Sequence, residues 1–195
     1  MADSWVFMNI VLIGYRGAGK STVGANLASR AGMDFVDTDD LVEKNQGASI
    51  REIVASSGWD HFRAVEKKII DEISRKDNLI IAPGGGAVLD PENVRSLKEN
   101  GLIIWLKADR EILCQRIGRD SRTVGSRPTL TGKGAMEEFG EVMAIRNPLY
   151  ERAADAEINT SGLDVEEVAE AVLSVVRERM GGLHWAGIHS ERSSG

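Results

Sequence analysis

The residues Gly14-Tyr15-Arg16-Gly17-Ala18-Gly19-Lys20-Ser21 fit the pattern G-x-x-x-x-G-K-[ST]. Glycines let successive backbone N–H groups turn inward toward a polyphosphate, because no Cβ blocks the tight path. Lys20 has the reach for β- and γ-phosphates, and Ser21 offers a hydroxyl to Mg²⁺. Gly17, Ala18, Gly19, Lys20, Ser21 and Thr22 are therefore the candidate nucleotide-binding residues. The plain alternative is a Gly-rich turn with an exposed lysine; the elements on either side favour phosphate. Further along, Asp37 and Asp39 stand two apart. A phosphotransferase needs carboxylates for two jobs, helping to hold hydrated Mg²⁺ and orienting or deprotonating the attacking hydroxyl. Turn residues and a helix cap are the alternative. Gly84-Gly85-Gly86 is either a flexible turn or a place where backbone N–H groups approach a ligand closely, and its position after a buried strand favours the second. Arg63 is a candidate anion ligand and equally a surface partner for Glu66 at i,i+3.

These residues need a frame. Residues 8–13 read as a strand and roughly 19–31 as a helix stopped by Gly32. Strand, glycine-rich turn and helix is the context in which the first pattern binds phosphate, with the helix N-terminus adding positive potential. Phe35-Val36 makes a short strand leading into Asp37. Asp40 with Glu43 resembles a capping box, so a helix is expected to begin there and to stop near Gly47. Ser49 with Glu52 starts another short helix, closed by Ser57-Gly58. A longer one follows, with Phe62, Val65, Ile69 and Ile73 on one face.

Leu79 to Ala82 is a continuous apolar run, as a buried parallel strand should be. Asp90-Pro91 heads the next helix. Leu102 to Leu106 is a fourth strand, and Asp109 is expected to cap a helix through Ile117. A helix over 135–145 is expected to lead into Arg146-Asn147-Pro148-Leu149-Tyr150. Ala156 to Asn159 is a fifth strand, and Asp164 caps a last amphipathic helix ending near Met180. Alternating strands and helices predict an α/β fold with a mostly parallel sheet. In such a sheet functional groups gather beyond the C-terminal strand ends, where the phosphate loop, Asp37/Asp39 and Gly84–Gly86 all fall.

Residues 118–134 change character, with four glycines and almost no apolar periodicity. Positions 116–133 carry Arg116, Arg119, Arg122, Arg127 and Lys133 against Asp120 alone. This stretch is either a positive lid that closes over phosphates or a solvated loop. Residues 181–195 are polar and glycine/serine-containing, and a loose tail is expected there.

Composition narrows the classes. A chain of 195 residues, 42% hydrophobic and 28% charged, is expected to be a single globular domain over 1–180. Its formal net charge of −6 argues against nucleic acid as a partner. It leaves room for an anionic small substrate met by a few well-placed arginines. No apolar run approaches a membrane span and the first residues lack a signal-peptide pattern, so a cytoplasmic protein is expected. Cys114 lies in an apolar helical pattern and reads as a small core residue. The scattered His61, His184 and His189 make no zinc spacing.

Taken together, G-x-x-G-x-G-K-S-T in Gly14–Thr22, D-T-D in Asp37–Asp39 and F-R-x-x-E in Phe62–Glu66 resemble shikimate kinases. So do G-G-G in Gly84–Gly86, R-P at Arg127-Pro128 and R-x-P-L-Y in Arg146–Tyr150, in order along most of the chain. The resemblance implies a P-loop, nucleoside-monophosphate-kinase-like three-layer sandwich with a five-stranded parallel sheet and a mobile lid. It implies transfer of the γ-phosphate of ATP to the 3-hydroxyl of shikimate, in aromatic amino-acid biosynthesis, with Mg²⁺ as cofactor. Both substrates are small molecules, and a monomer is expected.

By that resemblance Lys20, Asp39 and Arg127 are catalytic, with Asp39 the candidate base. Ser21 ligates Mg²⁺ and Asp37 joins it through water. Arg127 moves from the lid onto the transferring phosphate, and Arg116 or Arg119 stacks on adenine. Asp39, Arg63, Arg146 and the backbone of Gly84, Gly85 and Gly86 hold the acceptor. Two departures stand out: Thr129 occupies a lid position that is more often aliphatic, and the tail after Met180 has no counterpart. Rival readings are a gluconate or nucleoside-monophosphate kinase, and a nucleotide-binding module without turnover. Intact Lys20, Asp39 and Arg127 count against the module.

Overall fold

The computed structural model describes residues 8–119 and 135–179, except for the side chains of 119 and 135–138. Most of the expected lid, including Arg127, and the expected tail lie outside the described residues.

Five parallel strands form: β1 (Asn9–Ile13), β2 (Asp34–Asp37), β3 (Leu79–Ala82), β4 (Gly101–Lys107) and β5 (Ala156–Asn159), the apolar runs β1, β3 and β4 in the middle and the shorter, more polar β2 and β5 at the edges. Their spatial order is β2-β3-β1-β4-β5, and Ile10 stands opposite both Ile80 and Leu102. Successive side chains of a strand point to opposite faces. Ile10 and Leu12 therefore join a core with Leu27 and Val172, while Val11 and Ile13 join one with Ile69 and Leu97. The first face carries helices α1 (Lys20–Ala31) and α7 (Val165–Arg179). The second carries α3 (Ile50–Ser74) and α4 (Pro91–Glu99). The result is the three-layer α/β sandwich that alternating elements predict.

Several local signals work as read. Gly32 and Gly47 close α1 and α2 (Thr38–Gln46) in left-handed conformation. Ser49 and Glu52 form a reciprocal capping box on α3, and Asp90 caps α4 by accepting from the Glu92 N–H. Asp164 and Glu167 exchange the same pair of bonds at the head of α7. Helix α5 (Arg110–Arg119) starts behind Asp109, whose carbonyl accepts from the Leu113 N–H.

Two expectations fail. Helix α2 begins at Thr38, and its cap is Asp37, not Asp40. Asp37 Oδ1 accepts from the Asp39 N–H at 3.0 Å, and Glu43 instead accepts from the Ile50 N–H at 2.9 Å. Glu43 thus braces the next helix rather than its own. The helix expected over 135–145 continues through Pro148 to Ala153, as α6 (Ala135–Ala153). Pro148 removes one helical N–H, normally enough to break a helix. Burial of Val142, Arg146, Tyr150 and Ala153 down one face keeps the axis running past it. A single 3₁₀ turn, Ala87–Leu89, follows the glycine stretch.

Helix α3 is broken where Ser57-Gly58 suggests. Gly58 has φ 81° and ψ 171°, a region that essentially only glycine occupies. The break turns the chain so that Trp59, Phe62 and Arg63 face one cavity together with Ile50 from before it. Gly58→Ala is expected to destabilise the fold by about 1–3 kcal/mol through strain alone. There is open space where its Cβ would go. Urea unfolding measures this, and an unchanged midpoint contradicts it.

Candidate active site

Because β2, β3 and β1 are neighbours, their C-terminal ends put Asp37, the glycine stretch and the phosphate loop side by side. Two adjoining cavities open there. The larger, about 720 Å³, is bordered by Gly17, Ala18, Gly19, Lys20, Ser21 and Thr22. Asp37 and Arg116 also border it. The smaller, about 60 Å³, is lined by Asp39, Arg63, Arg146 and Gly84, Gly85 and Gly86. Asp39, Arg16 and Ile50 line both. The fold thus gathers the expected nucleotide residues in one cavity and the expected acceptor residues in the next. Arg127 and the Arg119 side chain lie outside the described part.

On the larger side, Lys20 Nζ curls back over the loop and donates to the carbonyls of Gly14 at 3.0 Å and Tyr15 at 3.4 Å. Ser21 Oγ donates to Asp37 Oδ2 at 2.6 Å. A hydroxyl and a carboxylate so close form a pair of hard oxygens suited to Mg²⁺. Among the described residues no cluster of three or more His, Cys, Asp or Glu could hold a metal alone. Arg116 is fixed by Thr160, donating to its Oγ1 at 3.0 Å and its carbonyl at 2.9 Å.

On the smaller side the charges interlock. Arg63 pairs with Glu66, as the i,i+3 spacing suggests, but this is no surface pair, since Glu66 is 0% exposed. The Arg63 guanidinium lies over the rings of Trp59 at 5.6 Å and Phe62 at 5.0 Å. Among the described residues, Glu66 Oε1 has no hydrogen-bond partner. Burial pushes the Glu66 carboxyl above its ordinary range, opposed by the Arg63 charge and hydrogen bond and reinforced by nearby Asp39. Arg146 is only 7% exposed. A Cβ at Gly84 would come within 2.6 Å of Glu66 Oε1 and 2.8 Å of Asp39 Oδ1. One at Gly86 would run into the Arg63 guanidinium. Backbone and charged groups approach each other here only because no side chain intervenes.

Some residues of the site carried no sequence signal for it. Thr38, wholly buried, accepts the Gly84 N–H at 2.9 Å and so ties the D-T-D segment to the glycine turn. Trp59 and Tyr15 line the smaller cavity, and Thr160 holds Arg116. The helical continuation of α6 sets Arg146 and Tyr150 one turn apart on the same buried face.

A family model described as Shikimate kinase matches residues 16–177. The chain belongs to the shikimate kinase family. A shikimate kinase of Syntrophus aciditrophicus (strain SB) is 41% identical over 173 residues, covering 85% of this chain and 89% of its own. One from Caldanaerobacter subterraneus subsp. tengcongensis is 42% identical over 165 residues, covering 85% and 94%. Among solved structures, the shikimate kinase from Acinetobacter baumannii in complex with shikimate has a TM-score of 0.82 at 32% identity. It covers 91% of this chain and 96% of its own. The family's fold is the one found here, with five parallel strands and helices on both faces.

The raised Glu66 carboxyl has a consequence for stability. A group whose folded-state pKa is raised contributes stability below its unfolded pKa and loses it as pH rises through the folded value. Glu66→Gln keeps an acceptor for Arg63 without the titration. Its thermal midpoint should therefore improve relative to wild type as pH rises from about 4.5, the ordinary value for a glutamate. Melting curves from pH 4 to 8 check this, and a constant difference between the two proteins refutes it.

Proposed function

We propose that this protein transfers the γ-phosphate of ATP to the 3-hydroxyl of shikimate, giving shikimate 3-phosphate and ADP. The observation that carries the reading is the position of Asp39, which lines both cavities. A carboxylate there stands where a phosphoryl donor on one side meets an acceptor hydroxyl on the other. Membership of the shikimate kinase family supports both substrates.

In this reading the backbone of Gly17–Gly19, with Lys20, Ser21 and Thr22, cradles the phosphates. Lys20 leaves the loop carbonyls to neutralise charge on the β- and γ-oxygens. Asp39 accepts the proton of the attacking hydroxyl or orients it. Arg63 and Arg146 face the acceptor's carboxylate, a planar anion that guanidinium forks match well. The turn at Gly84–Gly86 lends backbone donors. Arg116, held by Thr160 on the larger cavity, is assigned to the adenine side in preference to Arg119. Arg127 is assigned to the transferring phosphate by resemblance alone.

Mg²⁺ fits the Ser21 and Asp37 oxygens, with Ser21 as direct ligand and Asp37 through water. Bound there, the ion would spread the charge of the polyphosphate. Phosphoryl transfer of this kind depends mainly on positioning and positive charge, which these side chains supply. Water exclusion on closure would suppress ATP hydrolysis. The oligomeric state assigned in this reading is a monomer, by resemblance alone. Among the described residues no helix is long and apolar enough to cross a membrane.

A coupled assay for ADP release, run with and without shikimate, tests the reading. Release that does not depend on shikimate ends it. Lys20→Ala and Asp39→Asn should each lower kcat/KM at least about a hundredfold, roughly 3 kcal/mol of transition-state stabilisation. Near-normal transfer by Asp39→Asn removes that residue as the base. Arg146→Ala should chiefly raise the KM for shikimate while sparing that for ATP, and an unchanged acceptor KM cancels its assignment.

A further inference from the structure

The glycine turn can be taken group by group. The Gly84 N–H donates to Thr38 Oγ1 at 2.9 Å, and the Gly84 carbonyl accepts from the Ala87 N–H at 2.9 Å. The Gly86 carbonyl accepts from the Leu89 N–H at 3.1 Å. The Gly85 carbonyl accepts from the Tyr150 hydroxyl. Among the described residues, the N–H groups of Gly85 and Gly86 find no hydrogen-bond partner. Buried backbone donors are rarely left so, and a turn that leaves them unpaired beside a cavity is built to receive an oxygen from outside.

Tyr150 is well placed to aim one of them. It does not line the smaller cavity, whereas all three glycines do, so its hydroxyl meets the turn from behind. A trans peptide is planar, and its C=O and N–H point in opposite directions. Pulling the Gly85 carbonyl back toward α6 therefore turns the Gly86 N–H the other way. The tyrosine itself has little freedom. It is 1% exposed, its ring is 5.6 Å from that of Trp105, and Arg146 precedes it by one helical turn. Burial keeps the phenol a neutral donor, its pKa pushed up to about 12.

We infer that Tyr150 is a positioning residue for the acceptor: by donating to the Gly85 carbonyl it holds the Gly85–Gly86 peptide so that the Gly86 N–H binds an oxygen of shikimate. The inference rests on the proposed function and adds to it a residue that touches neither substrate. Without the hydroxyl the peptide loses the bond that fixes its tilt, and the Gly86 donor is presented less firmly.

The test compares wild type with Tyr150→Phe in steady-state assays, varying shikimate and ATP separately. A wild type that does not phosphorylate shikimate overturns the functional reading and this inference with it. Given turnover, the KM for shikimate should rise about five- to tenfold in Tyr150→Phe, as expected for one hydrogen bond lost at a binding group. The KM for ATP should stay within about twofold, the scatter allowed for a site that keeps its contacts. An unchanged acceptor KM, or equal changes for both substrates, overturns the inference alone. Both proteins are assayed well below the lower melting midpoint, which separates affinity from stability. If Tyr150→Phe does not yield folded protein, amide spectra of ¹⁵N-glycine-labelled wild type decide. The Gly86 resonance must move on titration with shikimate, and one that stays put overturns the proposal.

Discussion

The site depends on the two carboxylate oxygens of Asp37 having different partners. Oδ1 accepts the Asp39 N–H and starts helix α2, while Oδ2 accepts the Ser21 hydroxyl at the head of α1. One side chain therefore links the phosphate loop to the segment that carries Asp39, one of the residues that border both cavities. Thr38, next in the chain, fastens the same segment to the glycine turn through the Gly84 N–H. Three strand ends are thereby joined by side-chain bonds as well as by the sheet. A neutral hydrogen bond such as that of Thr38 contributes only about 1 kcal/mol to stability, and one accepted by a carboxylate about 1.5–3 kcal/mol. Their weight is in geometry, because phosphoryl transfer is sensitive to alignment.

The acceptor side solves a different problem, how to keep cations ready in a buried place. Arg63 is held by a wholly buried carboxylate and by two aromatic faces, and Arg146 lies within the helical face of α6. A buried charge without a partner is costly. Glu66 offsets that cost for Arg63 with one oxygen, and its other oxygen, beside Gly84, has no partner among the described residues. Cationic groups in such a setting are already oriented when an anionic acceptor arrives, so less ordering is needed on binding.

Much of this frame can be read from local pattern. Apolar runs give the three central strands, short segments around Phe35-Val36 and Ala156–Asn159 the two edge ones, glycines stop α1 and α2, and Ser49/Glu52 and Asp164/Glu167 mark helix starts. The errors share a cause. Asp40 and Glu43 fit a capping box as well as Asp37 fits a cap, and only the Ile50 N–H, seven residues on, explains where Glu43 goes. Proline at 148 argues locally for a helix end, yet the buried faces of Arg146, Tyr150 and Ala153 outweigh it. The Thr38 bond to Gly84 and the Tyr150 bond to Gly85 span 46 and 65 positions. No window of the sequence contains such partners. Arg63 lay between two readings because its answer turned on the burial of Glu66, which the fold decides.

The absence of room beneath Gly84 and Gly86 also limits how this pocket can diverge. Carboxylates and a guanidinium occupy the space where any larger residue would put its first carbon, so that wall of the chamber is closed to drift. Variation in the shape of the acceptor chamber is then channelled to other residues of its lining, Tyr15 and Ile50. Neither holds Arg63, whereas Trp59, whose ring lies under that guanidinium, is tied to the charged lattice. A descendant of this protein with a new acceptor would carry its changes there.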